Sequence, residues 1–84
     1  MSKKKKLIKK LKSGSSITFE EIETLLSYLS YRRHDKGRTS GSRVCFISET
    51  TGGKIEMHKP HPSNEMKRYV VKMLIEYLEK EGLI

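Results

Sequence analysis

The stretch Gly41-Ser42-Arg43-Val44-Cys45-Phe46-Ile47, followed by Glu49-Thr50-Thr51-Gly52-Gly53 and then Lys54-Ile55-Glu56-Met57-His58, decides the fold. Val44 and Phe46 alternate with Arg43, Cys45 and Ile47, so the first run carries apolar residues on both faces near its centre. That pattern fits a middle strand covered by helices on one side. The second run alternates cleanly, with Ile55 and Met57 on one face and Lys54, Glu56 and His58 on the other. Between them lies turn chemistry, in which glycine supplies the positive φ a tight reversal needs. The two runs therefore read as a hairpin whose wet face displays Lys54, Glu56 and His58.

Downstream, Lys59-Pro60-His61-Pro62-Ser63 cannot continue a central strand, because Pro60 and Pro62 have no N–H to donate. It reads as an ordered loop leading into a last helix, with Ser63 or Asn64 as cap and Glu65 in the first turn. Met66, Tyr69, Val70, Met73, Leu74, Tyr77 and Leu78 form its apolar stripe, so Tyr69 and Tyr77 are expected in the core. Gly82 reads as the stop, with Leu83 and Ile84 folding back onto the helix.

Upstream, Tyr31 to Asp35 is short and polar, an edge strand at most, and residues 36–41 form a basic turn with two glycines. Before that, Thr18 and Glu21 make a capping-box pair. Phe19, Ile22, Leu25, Leu26 and Leu29 repeat at helical spacing, so a helix is predicted from Phe19 to Ser30. The order is α-β-β-β-α. The sequence thus specifies a small α+β domain, two helices packed on one face of a three-stranded antiparallel sheet whose other face is open.

Residues 1–12 hold seven lysines and no acid, whereas the rest of the chain has 11 Lys and Arg against 10 Asp and Glu. The net charge of +8 therefore resides almost wholly in the first segment. Leu7, Ile8 and Leu11 fall at helical spacing among these lysines, but an isolated helix of this length is marginal in water. Ser13-Gly14-Ser15-Ser16 breaks the pattern. The segment 1–16 is accordingly expected to be a basic flexible extension, and 17–84 the folded domain. A lysine-rich segment suits non-specific attraction to phosphate backbones, or simply solubility.

At 84 residues and 35% hydrophobic content, without tryptophan, the chain has a thin core. A domain of this size buries roughly 60% of its unfolded surface, which favours chemistry at the surface on a large ligand over a deep cofactor pocket. The single cysteine, Cys45, lies in an apolar run and reads as a buried small hydrophobe. No Cys/His spacing suggests zinc, and neither a metal nor a cofactor is expected. Leu7-Ile8 is interrupted at once by Lys9-Lys10, so no signal-peptide core forms, and no stretch is long enough to span a membrane. A cytoplasmic protein is expected.

Three pieces together, Gly41-Ser42-Arg43-Val44-Cys45-Phe46, the run from Ile55 to Met66, and the ending from Leu74 to Ile84, resemble the HicA toxins. These are small bacterial mRNA interferases of toxin–antitoxin pairs, with a fold like that of double-stranded-RNA-binding domains. The resemblance covers roughly residues 18–84, and His61-Pro62-Ser63-Asn64-Glu65-Met66 is similar to the histidine–proline–glycine–x–glutamate–leucine approach to the family's last helix. It implies metal-independent RNA cleavage, silenced by a HicB-type antitoxin protein. In one respect the chain departs from the family. Arg43 stands where the family has the histidine taken as catalytic, and an arginine stays protonated at physiological pH. It binds phosphate and stabilises transition-state charge, but does not accept a proton.

Cleavage of RNA without metal needs a group to take the 2′-hydroxyl proton, a group to protonate the leaving oxygen, and cations around the phosphorane. Histidine suits the proton transfers. His58 on the wet face and His61 in the proline-bounded loop are the candidate catalytic residues, with His34 a weaker candidate. Arg43 and Lys54 are candidate phosphate contacts on the sheet. Lys59, Lys67 and Arg68 gather at the start of the last helix, where a helix terminus and added cations favour anions. The alternative is an RNA-binding module of the same fold that grips without cutting. A third reading, an accessory protein whose lysine segment contacts DNA, has no helix-turn-helix pattern behind it.

Overall fold

The computed structural model describes residues 3–34, 43–60 and 64–84. Its elements are α1 (Lys3–Lys12), α2 (Phe19–Tyr28), β1 (Tyr31–Arg33), β2 (Arg43–Ser48), β3 (Lys54–His58) and α3 (Arg68–Lys80). The strands form an antiparallel sheet in the order β1-β2-β3, so β2 is central as its two-sided apolar pattern requires. Val44 pairs with Met57 and Phe46 with Ile55. All four are buried on one face, while Lys54, Glu56 and His58 are exposed on the other. The turn between β2 and β3 is tied by Ser48, whose hydroxyl accepts the Thr50 and Thr51 N–H groups and whose carbonyl accepts that of Gly52.

The element order is α-α-β-β-β-α, one helix more than the α-β-β-β-α order expected, the helical spacing of Leu7, Ile8 and Leu11 being realised in α1. The expected extension at 1–16 is corrected: its lysine-rich part is helix α1, and Leu11 is fully buried with Leu7 nearly so. Both belong to the same core as Phe19, Ile22, Leu25 and Leu78. A helix this short is marginal only in isolation. Here tertiary burial of one apolar stripe supplies what propensity does not. Ion pairs join α1 to its neighbours, Lys10 to Glu21 at 2.6 Å and Lys12 to Glu79 at 3.6 Å. Ser13 to Ser16 therefore links two packed helices rather than marking the edge of the domain.

Helix α2 begins as predicted. The Thr18 hydroxyl accepts the Glu21 N–H and the Glu21 carboxylate accepts the Thr18 N–H, completing the capping box. The Lys10 ammonium, followed by the Thr18 N–H, holds the Glu21 carboxyl below its ordinary pKa. The helix stops at Tyr28, two residues before the predicted end, because Ser30 turns to a left-handed φ of 70°.

Helix α3 starts at Arg68, later than the Ser63 or Asn64 cap predicted. The intervening residues pair elsewhere. Thr18 bridges Glu65, the Phe19 N–H donates to the Asn64 carbonyl, and the Met66 N–H donates to that of Ile17. This short bridge fastens the start of α2 to the approach to α3 and buries Met66. At the other end Gly82, at φ +71°, closes a Schellman motif. The Leu83 N–H reaches the Leu78 carbonyl and the Gly82 N–H that of Glu79, so Leu83 and Ile84 do fold back on the core.

The buried face of α3 is also shifted from the expected stripe. Val71, Leu74 and Leu78 are buried and Tyr77 half-buried, but Tyr69 and Met73 are 63% and 61% exposed. α1 packs on one flank of α3 and turns Val71 and Ile75 inward, which swings Tyr69 and Met73 out. Tyr77 meets Tyr31 hydroxyl to hydroxyl at 3.2 Å. Burial, then that hydrogen bond, pushes the Tyr31 phenol up. Cys45, expected to be buried, is only half-buried, since its position belongs to the open face of the sheet. Among the described residues no helix is long and apolar enough to cross a membrane.

Candidate nucleic-acid interface

The hairpin register sets the site. In the β2–β3 ladder Arg43 is directly opposite His58, Cys45 opposite Glu56, and Ile47 opposite Lys54. Opposed positions in an antiparallel pair share a face, so position 43 and His58 lie together on the open side at one end of the hairpin. His58 is exposed there. Lys54 shares that face but sits four residues along β3, about 13 Å away at strand spacing, and its ammonium lies 3.8 Å from the Glu56 carboxylate. Lys54 therefore stands at the far end of the hairpin from His58.

A groove of about 300 Å³ runs between β3 and the first half of α3. Glu56, His58, Lys59 and Lys67 line it, with Met57 and Met66 at its floor and Tyr69 and Met73 on its helix wall. Lys59 is placed by Phe19, over whose ring its ammonium sits 5.5 Å from the centroid. Such a contact favours a cation over an aromatic face. Phe19 is itself fixed by the core and by Phe46, 6.4 Å away. The sheet, the capping region of α2 and the start of α3 thus converge on one end of the molecule.

Of the residues singled out from the sequence, this end gathers His58, Lys59, Lys67 and the backbone position of Arg43. Arg68 lies on another side of α3, beside Gly14 and α1. His34 is exposed just past the β1 edge, away from β3, its backbone N–H donating to the Cys45 carbonyl. His61, the second candidate catalytic residue, lies outside the described residues, as do residues 36–41 of the basic turn.

The sequence reading missed Tyr69, which it assigned to the core. The available signal was the width of the apolar arc. Tyr69, Val70, Val71, Met73, Leu74, Ile75, Tyr77 and Leu78 cover more of α3 than one sheet face can bury. Some had to face water.

Chemically, the arrangement offers an imidazole beside an arginine position on an exposed face, with Lys59, Lys67 and one carboxylate, Glu56, lining the adjoining groove. It suits a phosphodiester approaching from solvent, with room for groups attached to it in the adjoining groove. Comparison of the chain with protein-family models, with curated proteins and with solved structures gave no match.

Proposed function

We propose that this chain is a cytoplasmic HicA-type toxin of a bacterial toxin–antitoxin pair, an endoribonuclease that cleaves mRNA without metal and is neutralised by a HicB-type antitoxin. The observation that carries the reading is the direct cross-strand pairing of Arg43 with His58 on the open face of the sheet. The order helix, three-stranded antiparallel meander, helix supports a fold like that of double-stranded-RNA-binding domains, with α1 added in front.

In this mechanism His58 takes the proton from the ribose 2′-hydroxyl. The 2′-oxygen attacks the adjacent phosphorus, the bond from phosphorus to the 5′-oxygen breaks, and a protonated group returns a proton to that oxygen. His61 is the candidate for this second role. Arg43 holds the non-bridging oxygens as charge builds on them. Lys59 and Lys67 hold neighbouring phosphates, and Lys54 and Arg68 lie along more distant stretches of RNA. The family's proton-transfer position is occupied by arginine, so the base has moved one strand across, to the residue opposite.

That same arginine favours a second reading, an RNA-binding module that does not cut. Induced expression of the chain alone in a bacterium, beside His58→Ala and Arg43→Ala, separates the two. The toxin reading expects growth arrest with shortened transcripts, relieved by His58→Ala. Normal growth with intact mRNA would leave the binding module.

A further inference from the structure

A second groove, of about 400 Å³, lies between α1 and α3. Ile75 and Tyr69 give it apolar surface above the buried Leu11, and Lys12, Arg68 and Lys72 line it with no carboxylate among the lining residues. Tyr69 borders this groove and also the one beside His58, and it is 63% exposed. Tyr69 thus presents an aromatic face to solvent between Lys59 and Lys67 of the first groove and Arg68 and Lys72 of the second.

We propose that the second groove continues the RNA path. Unpaired RNA leaving the Arg43–His58 site stacks a base on Tyr69 and lays its next phosphates on Arg68, Lys72 and Lys12. The proposal rests on the RNA reading above and adds to it the strand state of the substrate and a binding role for α1. An unpaired base presents the flat face that a tyrosine ring can stack on, whereas the bases of a duplex are already stacked on one another. Arg68 and Lys72 stand four residues apart on α3, about 6 Å along its axis, and with Lys12 they offer cations for successive phosphates, with Tyr69 and Ile75 beside them for the bases. The Lys12–Glu79 pair is no obstacle, because at 3.6 Å and about half exposed on both sides it is an ordinary surface pair that a phosphate can replace. Helix α1 lies outside the stretch that resembles HicA, so the family pattern alone would not include this surface.

The test uses the full chain and mixed-sequence RNA with 2′-O-methyl riboses, which no 2′-hydroxyl attack can cut. A short oligonucleotide of about four residues and a longer one of about twelve bracket the site size of a small single-strand binder. Wild-type protein is expected to bind the longer RNA more tightly. Lys72→Ala should reduce the magnitude of its log–log salt slope by about 0.7 and leave the short RNA unaffected. Tyr69→Ala should weaken the longer RNA roughly tenfold, and Tyr69→Phe should restore it. An unchanged slope in Lys72→Ala, a duplex that competes better than the single strand, or a poly-glutamate peptide that competes as well as RNA would each overturn the proposal. If the short RNA binds and responds to Arg43→Ala while length brings no gain, the RNA site stands and only this extension falls. If neither RNA binds, both fall.

Discussion

The Lys10 ammonium lies 2.6 Å from a Glu21 carboxylate oxygen while the other oxygen of Glu21 accepts the N–H of Thr18. One carboxylate thus closes the capping box of α2 and fastens α1 to it. Because this environment lowers the Glu21 pKa, the group contributes stability that is fully present above its ordinary value of 4.5 and is lost as pH falls through the depressed folded value. Glu21→Gln should flatten the acid limb of a stability-against-pH curve, measured by urea midpoints across that window. An unchanged limb would show that the contact carries no linkage.

Leu11 is fully buried although it belongs to the most charged stretch of the chain. Leu11→Ala should cost about 2–5 kcal/mol, a large share of the stability of a chain this small. Removal of residues 1–12 should leave a protein that does not fold cooperatively. Circular dichroism during thermal unfolding checks both. A truncated chain with an unaltered transition would return α1 to the status of an appendage.

Gly53 packs against a tyrosine. A Cβ built there would sit 2.7 Å from the Tyr77 hydroxyl and 3.2 Å from that of Thr51. Gly53→Ala should therefore destabilise by about 1–3 kcal/mol. Tyr77→Phe, which removes the crowding oxygen, should recover part of that loss in the double variant. Denaturant unfolding of the four proteins of the cycle gives the coupling, and strict additivity would contradict the steric explanation.

Ser30 holds a left-handed conformation that glycine adopts without strain. Ser30→Gly should be neutral to stabilising, by up to about 1 kcal/mol, raising the midpoint of thermal unfolding by a few degrees. A clear loss would mean that the Ser30 side chain contributes more than its backbone costs.

Much of this fold was legible because local signals and burial agree. The Thr18–Glu21 box, the alternation of Lys54 to His58, the central pattern of β2 and the Gly82 stop each act through near neighbours. What the sequence concealed was decided by contacts distant along the chain. The lysines of α1 hid two buried leucines, and whether those leucines find a core depends on α2 and α3. The same packing turned α3 and exposed Tyr69 and Met73. The start of α3 moved because Asn64, Glu65 and Met66 have partners near Thr18 that no short window contains. On the functional side, residue identity nominated His58 and Lys59, but only the β2–β3 register put Arg43 opposite His58.

The most direct test of the account is the fate of an end-labelled, unmodified RNA incubated with the purified chain in excess chelator, with His58→Ala and Arg43→Ala in parallel. The account predicts shortened RNA bearing 2′,3′-cyclic phosphate ends with the wild-type chain, at least a hundredfold less with His58→Ala, and a comparable loss with Arg43→Ala. RNA left intact by the wild-type chain, or cut equally well by His58→Ala, would contradict it.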